Sequence, residues 1–195
     1  MVRTAYKLVD EAGPSALTLA RVAAALGIRT PSLYNHVDGL PGLQHDLARM
    51  GAHELERALT SATLGRSRDD AVTALAIAYR AFVHEHAGIY EIMLRVAPAY
   101  RAPDPDLDAA EYAVVRVPLA ILAGYGLHGA EALHAVRCFR SLIHGFATLE
   151  ASGGFGLPLD IEESFRRLLG LYILGLHHDG DLRQAGASVD EDSRR

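Results

Sequence analysis

One cysteine, Cys138, is the only thiol in the sequence, so no disulfide can close within the chain and a reducing compartment is the simplest setting. No signal pattern of basic, apolar and small residues opens the chain, and no uninterrupted apolar run reaches the roughly 18 to 20 residues that a membrane span needs. The longest candidate, Val114 to Leu127, is broken by Arg116, Pro118, Gly124 and Gly126 and reads as a buried helix. The expectation is a cytoplasmic protein with no membrane partner. Sustained strand-like alternation is absent, as are internal repeats and low-complexity tracts. Charge is also sparse: 22% of the 195 residues are charged, half are hydrophobic, and the formal net charge is -5. That balance suits a globule with a sizeable core and excludes a disordered charged tail as the main feature. Any attraction to a polyanion must then come from a local basic surface, because the field of the whole molecule repels phosphate.

Catalytic signatures are missing too. The chain holds no Gly-x-Ser-x-Gly elbow, phosphate loop or dinucleotide fingerprint. Its ten histidines include the pairs His84 and His86, His128 and His134, and His177 and His178. Adjacent or one-apart side chains point to different helix faces, and no Cys, Asp or Glu completes a zinc spacing. The expectation is therefore no enzyme, no metal and no cofactor, with a histidine-dependent metalloenzyme as a distant alternative.

What the sequence does contain is helical periodicity from end to end, which predicts an all-α protein. Ala5, Leu8, Val9 and Ala12 share one face of a short first helix that Gly13 and Pro14 close. Thr18 can cap the second helix, with Leu17 and Val22 as its hydrophobic staple. Val22, Ala23 and Leu26 form the inner face, Gly27 is the left-handed stop, and Ile28 is expected as a buried turn residue. Thr30 and Pro31 mark a new cap and first helical position, and Leu33 and Val37 point inward. Asp38, Gly39, Pro41 and Gly42 break the chain before a fourth helix that begins near Leu43 and runs towards Leu59. Further interruptions fall at Gly65 to Arg68, Gly88, Ala97 to Asp108, Gly124 to Gly129, and Ser152 to Pro158. Two long helices, about 130–151 and 159–176, should pack together, the first through Val136, Phe139, Leu142, Ile143 and Phe146. The expected organisation is a three-helix head at 1–46, a helical bundle at 47–178, and an unpacked polar tail at 179–195.

A helix-turn-helix needs a small residue where its helices nearly touch, a residue tolerating positive φ at the turn, and apolar anchors that set the crossing angle. Ala23, Gly27 and the set Val22, Leu26, Ile28, Leu33 and Val37 meet those demands. With these turned inward, Arg29, Thr30, Ser32, Asn35 and His36 remain outside, groups of the kind used on base edges and phosphates. Tyr34 can reach phosphate through its hydroxyl. Two packed helices with a glycine turn also occur in proteins that never touch DNA, so a helical small-molecule-binding or scaffolding protein with a degenerate head is the alternative.

The run Leu17 to Val37, above all Ser32-Leu33-Tyr34-Asn35-His36-Val37, resembles the N-terminal domain of the TetR family of bacterial repressors over about Ala5 to Leu47. The resemblance implies a homodimer that binds palindromic double-stranded DNA operators. It also implies that Thr18 touches phosphate, that Thr30, Pro31, Ser32 and Asn35 face bases or backbone, and that Tyr34 and His36 grip phosphate. Where family members commonly carry a Lys at the start of the fourth helix, Leu40, Pro41 and Gly42 stand here, which removes one cationic contact. Further on, His144-Gly145-Phe146, Leu149-Glu150 and Gly153 to Pro158 resemble the TetR ligand-binding domain named for a Trp-His-Gly motif, with Ile143 in the Trp position. That similarity implies a helical sensor domain, dimerisation through the last two long helices, and an unidentified small-molecule effector. Phe82, His86, Tyr90, Met93, Tyr112, Phe139, Ile143 and Phe146 are the candidates for lining an effector cavity, with His86 and Tyr112 as orienting groups. For each of them core packing is the competing role.

Overall fold

The computed structural model describes residues 1–96 and 103–192, with side chains described through His178. Among the described residues it is all-helical, as the periodicity predicts: α1 (Val2–Ala12), α2 (Leu19–Leu26), α3 (Thr30–Leu33), α4 (Gly39–Thr63), α5 (Arg68–Glu85), α6 (Ala87–Arg95), α7 (Pro105–Leu122), α8 (Gly129–Ala151) and α9 (Ile161–Asp192). No single described helix is long and apolar enough to cross a membrane. The chain divides into two compact units, one of Met1–Ala58 with Ala81–Val114, the other of Leu59–Arg80 with the chain from Val115 onward.

In the first unit, α1 to α4 share a core of Val9, Val22, Leu33, Leu43 and Leu47, all within 1% of full burial. Ile89 and Ile92 of α6 and Leu107 of α7 complete the same core. The boundary expected after Asp46 thus falls inside the continuous α4, and the core of the head includes residues some forty positions downstream of that boundary. Three short helices alone bury too little apolar surface to be stable. Two glycines let α6 approach its neighbours. A Cβ on Gly88 would lie 2.8 Å from Val9 Cγ1 and from the Val9 carbonyl oxygen. One on Gly51, in α4, would lie 2.7 Å from Ile89 Cγ2 and 2.8 Å from Met93 Sδ. Gly88 was expected to break a helix; the break lies instead at His86, and Gly88 is an α6 residue chosen by packing.

The fourth helix likewise starts at Gly39, not near Leu43. Gly39 adopts φ 67°, and Pro41 is accommodated because a first-turn residue needs no intrahelical N–H bond. The Gly42 N–H donates to the Asp38 carbonyl at 3.2 Å, so the cluster read as a break is a helix entry. Of the segment Ala97 to Asp108, residues 97–102 lie outside the described residues, and α7 begins at Pro105 with Pro118 inside it.

The second unit is built on α8 and α9, which run close to their expected spans. Val136, Phe139, Ile143 and Phe146 are buried, whereas Leu142 is only half-buried. Phe165, Leu169 and Leu176 are buried on α9. The Tyr172 hydroxyl donates to the Ala135 carbonyl at 2.9 Å, and its ring lies 5.6 Å from that of Phe139. At one end, Arg80 Nε and Nη2 donate to the Glu150 carboxylate at 2.7 and 2.5 Å. Nη2 also reaches Glu162 at 2.7 Å, and the guanidinium stacks over Phe165 at 4.5 Å. Elsewhere in the unit, Asp69 accepts from Tyr125 Oη at 2.6 Å and pairs with His177 Nε2 at 2.9 Å. The backbone from Asp179, expected as an unpacked tail, continues α9 to Asp192, with no proline to stop it.

Candidate nucleic-acid interface

Local chemistry sets the geometry of the helix-turn-helix. Thr18 has extended backbone angles (φ -134°, ψ 148°), and its Oγ1 accepts the Arg21 N–H at 3.2 Å, satisfying one of the donors that a helix start leaves unpaired. At the other end of α2, Gly27 sits at φ 68°, ψ 26°. There the Gly27 N–H donates to the Ala24 carbonyl at 3.1 Å and the Ile28 N–H to the Ala23 carbonyl at 3.0 Å. This left-handed stop reverses the chain into α3. Val22 and Ala23 on α2, with Leu33 and Val37, are all at least 92% buried and hold the two helices together.

Four local expectations need correction. Ile28 is 42% exposed, because its backbone N–H closes the helix stop and leaves its side chain outside the core. The cap of α3 is Arg29, with Thr30 and Pro31 as its first helical residues and no side-chain cap bond. Thr30 is therefore one position further in than its sequence suggested. The third correction concerns α3 itself, which ends at Leu33 instead of reaching Val37. Beyond it the chain continues in overlapping turns, with the His36 and Val37 N–H groups both donating to the Leu33 carbonyl, at 2.8 and 3.1 Å. That doubly used acceptor tightens the last turn. The fourth is Arg21, which sequence reasoning passed over. It is an exposed cation in the first turn of α2, three residues after the cap and outside the inward set of Val22, Ala23 and Leu26.

The outward residues are brought together on one short stretch. Thr18, Arg29, Pro31, Ser32, Asn35 and His36 are exposed and Thr30 is half-buried, while Tyr34 is 61% exposed. The surface mixes hydroxyls, an amide, an imidazole and guanidinium groups around an apolar frame. Such groups can donate to phosphate oxygens and to base edges.

The effector-cavity candidates are not brought together in one unit. Phe82, His86, Tyr90, Met93 and Tyr112 belong to the first unit, and Phe139, Ile143 and Phe146 to the second. Within the first, His86 Nδ1 pairs with Asp10 Oδ2 at 2.8 Å, and its ring lies 5.0 Å from Phe82 and 5.7 Å from Tyr6. Met93 is packed against Gly51, and Tyr112 is 59% exposed. His86 and Tyr112 were expected as inward orienting groups. His86 is committed to α1, and Tyr112 faces outward. In the second unit Phe146 stacks at 4.8 Å on Phe155 and 5.0 Å on Phe165, and Ile143 is buried. His144 on α8 is held below the usual imidazole range by burial and by Arg140. Among the described residues no group of three His, Cys, Asp or Glu side chains is placed to hold a metal ion.

A helix-turn-helix head followed by a helical body defines a DNA-binding transcriptional regulator. Residues 72–172 match the family described as the Tetracyclin repressor-like, C-terminal domain. The chain is 37% identical over 153 residues to the HTH-type transcriptional regulator Rv0681 of Mycobacterium tuberculosis, covering 78% of this chain and 69% of that one. It is 32% identical over 176 residues to the HTH-type transcriptional regulator YobS of Bacillus subtilis, covering 90% of each. The Streptomyces coelicolor TetR family protein ActR, solved in complex with actinorhodin, shares the fold at 19% identity. Its TM-score is 0.68, over 92% of this chain and 95% of that one. The protein belongs to the TetR family of transcriptional regulators.

Proposed function

We propose that the protein is a ligand-responsive repressor, acting in the cytoplasm as a homodimer whose two heads read successive major grooves of a near-palindromic operator. The observation that carries this reading is the cluster of exposed Thr18, Arg29, Ser32, Tyr34, Asn35 and His36 around the buried Leu33 and Val37. Arg21 and Arg29 supply the local positive charge that the net charge of -5 withholds. Tyr34, His36 and Thr18 hold phosphate, and Asn35, Ser32, Thr30 and Pro31 face base edges. The functional division is a reading head at 1–46 and an effector and dimerisation region at 47–178.

A homodimer through α8 and α9 is supported by Leu171 and Leu174, 70% and 66% exposed, and by Leu133 and Leu149, 45% and 51% exposed. Arg167, Leu171, Leu174 and His178 follow a four-three-four spacing, the seam of a packed helix pair. The effector is assigned to the second unit, beside Phe139, Ile143 and Phe146, because His86, Met93 and Tyr112 of the first are committed or outward-facing. ActR with actinorhodin is a precedent for a small-molecule ligand on this fold. Effector binding then releases DNA by favouring the arrangement that binds DNA less well.

Selection of bound duplexes from a random pool tests the reading. A palindromic consensus with half-sites about one helical turn apart is expected, and failure to enrich any duplex at low salt overturns it. Changing Tyr34 to Phe or His36 to Ala should weaken binding on all sequences and flatten its salt dependence, whereas changing Asn35 should alter base preference. Leu171→Ser with Leu174→Ser should shift sedimentation towards the monomer.

A further inference from the structure

We propose that two histidine–carboxylate bridges, His86 to Asp10 and His45 to Asp104, make the reading head proton-sensitive, so that it is better ordered at mildly acid than at mildly alkaline pH. Both bridges lie in the first unit and join helices of the head to chain that returns much later in the sequence. His86 immediately precedes α6, and its Nδ1 lies 2.8 Å from Asp10 Oδ2 on α1, with the two side chains 28% and 22% exposed. His45 on α4 lies 3.4 Å through Nδ1 from Asp104 Oδ2, just ahead of α7, at 29% and 28% exposure. Asp104 also accepts the Leu107 N–H at 3.0 Å and so anchors the start of α7.

The surroundings of each imidazole are rich in carboxylates. Around His86, α1 presents Asp10 and Tyr6, α5 presents Phe82 with Glu85 next in the chain, and Glu54 and Arg57 of α4 act on Tyr6. Around His45, the start of α7 presents Asp104 and Asp106, while α4 presents Asp46 and Arg49. The Arg49 guanidinium is shared between Asp46 at 2.7 Å and Asp106 at 3.4 Å. An imidazolium bonded to a carboxylate makes a charge-assisted pair roughly twice as strong as its neutral counterpart, and imidazole is the side chain whose charge changes near neutrality.

The mechanical consequence follows from the packing. The residue next to Asp10 is Val9, the one that Gly88 abuts, and Ile89 and Ile92 lie in the same core as Leu33 and Val37 beneath the reading surface. Fastening α6 to α1 and α7 to α4 therefore orders the floor on which α3 rests. By linkage, the ordered head binds more protons than the loosened one, so the order is gained below the titration of the bridges and lost as pH rises through it.

Hydrogen exchange on the full-length protein tests this without DNA, compared between about pH 6 and about pH 8 after correction for intrinsic exchange. Peptides covering 2–12 and 87–95 should be about three- to tenfold better protected at the lower pH, the scale of two partly exposed bridges, while α8 peptides stay level. His45→Gln with His86→Gln keeps a hydrogen-bond donor without the charge and should flatten that response. Equal wild-type protection at the two pH values, or an undiminished response in the double variant, overturns the proposal. The effect on operator affinity rests on the DNA-binding reading above. Absence of operator binding at both pH values, with the exchange response intact, counts against that reading alone.

Discussion

Gly88 and Val9 are in such close contact that a Cβ at position 88 would sit 2.8 Å from both the Cγ1 and the carbonyl oxygen of Val9. The carbonyl is part of the α1 backbone and donates its lone pair to the Gly13 N–H at 2.8 Å, so it cannot step aside. Gly88→Ala should therefore destabilise the protein by about 1–3 kcal/mol, outweighing the gain in helix propensity of up to about 1 kcal/mol. At Gly51 the obstacles are the side chains of Ile89 and Met93, and the flexible thioether can move. Urea titrations of the two variants should rank Gly88→Ala as the more damaging; the reverse order would show that α1 and α6 are not locked at this point.

Thr18 caps α2 through a single bond to the Arg21 N–H. Thr18→Ala should cost about 1 kcal/mol of stability, whereas Thr18→Ser, which keeps the hydroxyl, should cost much less. On DNA the alanine variant should also lose affinity, since the same hydroxyl lies on the reading surface. Thermal melts with parallel gel shifts separate the two effects.

Arg80 and Glu150 are 13% and 16% exposed, and the paired carboxylates of Glu150 and Glu162 hold the guanidinium firmly in its charged form. Removing the cation by Arg80→Met leaves Glu150 partly buried without it, at a cost of about 2–4 kcal/mol. Adding Glu150→Gln should recover part of that loss. A double-mutant cycle by chemical denaturation measures the coupling, and strict additivity would rule out a direct pair.

Asp69 is held below the usual carboxylate range by hydrogen bonds from Tyr125 and then His177, while burial pushes the Tyr125 phenol up. Because the folded value lies below the unfolded one, Asp69 contributes stability above about pH 4 and loses it as pH falls through the folded value. Since the side chain is 51% exposed, solvent screening makes the contribution small. Asp69→Asn should flatten the acid limb of the urea midpoint below about pH 4 and leave the midpoint at neutral pH only slightly lowered. An acid limb identical to the wild type would show that the network is not formed in solution.

The reading surface was visible in the sequence because its determinants are local. A threonine cap, a left-handed glycine and a proline in the first turn each act within four residues, and Leu33 and Val37 declare their inward direction by spacing. The errors at this site were equally local. Ile28 was assigned by hydrophobicity alone, and α3 was extended to Val37 because its apolar spacing continues after the regular helix has stopped. Pro41 was taken as a break where it sits in the first turn of α4. The effector candidates failed differently: His86 and Tyr112 were chosen by side-chain type, but the partners of a side chain on a long helix lie tens of residues away.

From the sequence by itself came the helical class, the helix-turn-helix and the residues it turns outward, since capping, turn conformation and 3.6-residue periodicity are short-range physics. Only the tertiary structure decided that Ile89, Ile92 and Leu107 finish the core of the head, that His86 serves Asp10, and that Arg80 finds Glu150 and Glu162. Those pairings depend on which helix faces meet, and that is settled by close packing at positions such as Gly88 and Gly51, where the absence of a side chain carries no directional signal along the chain.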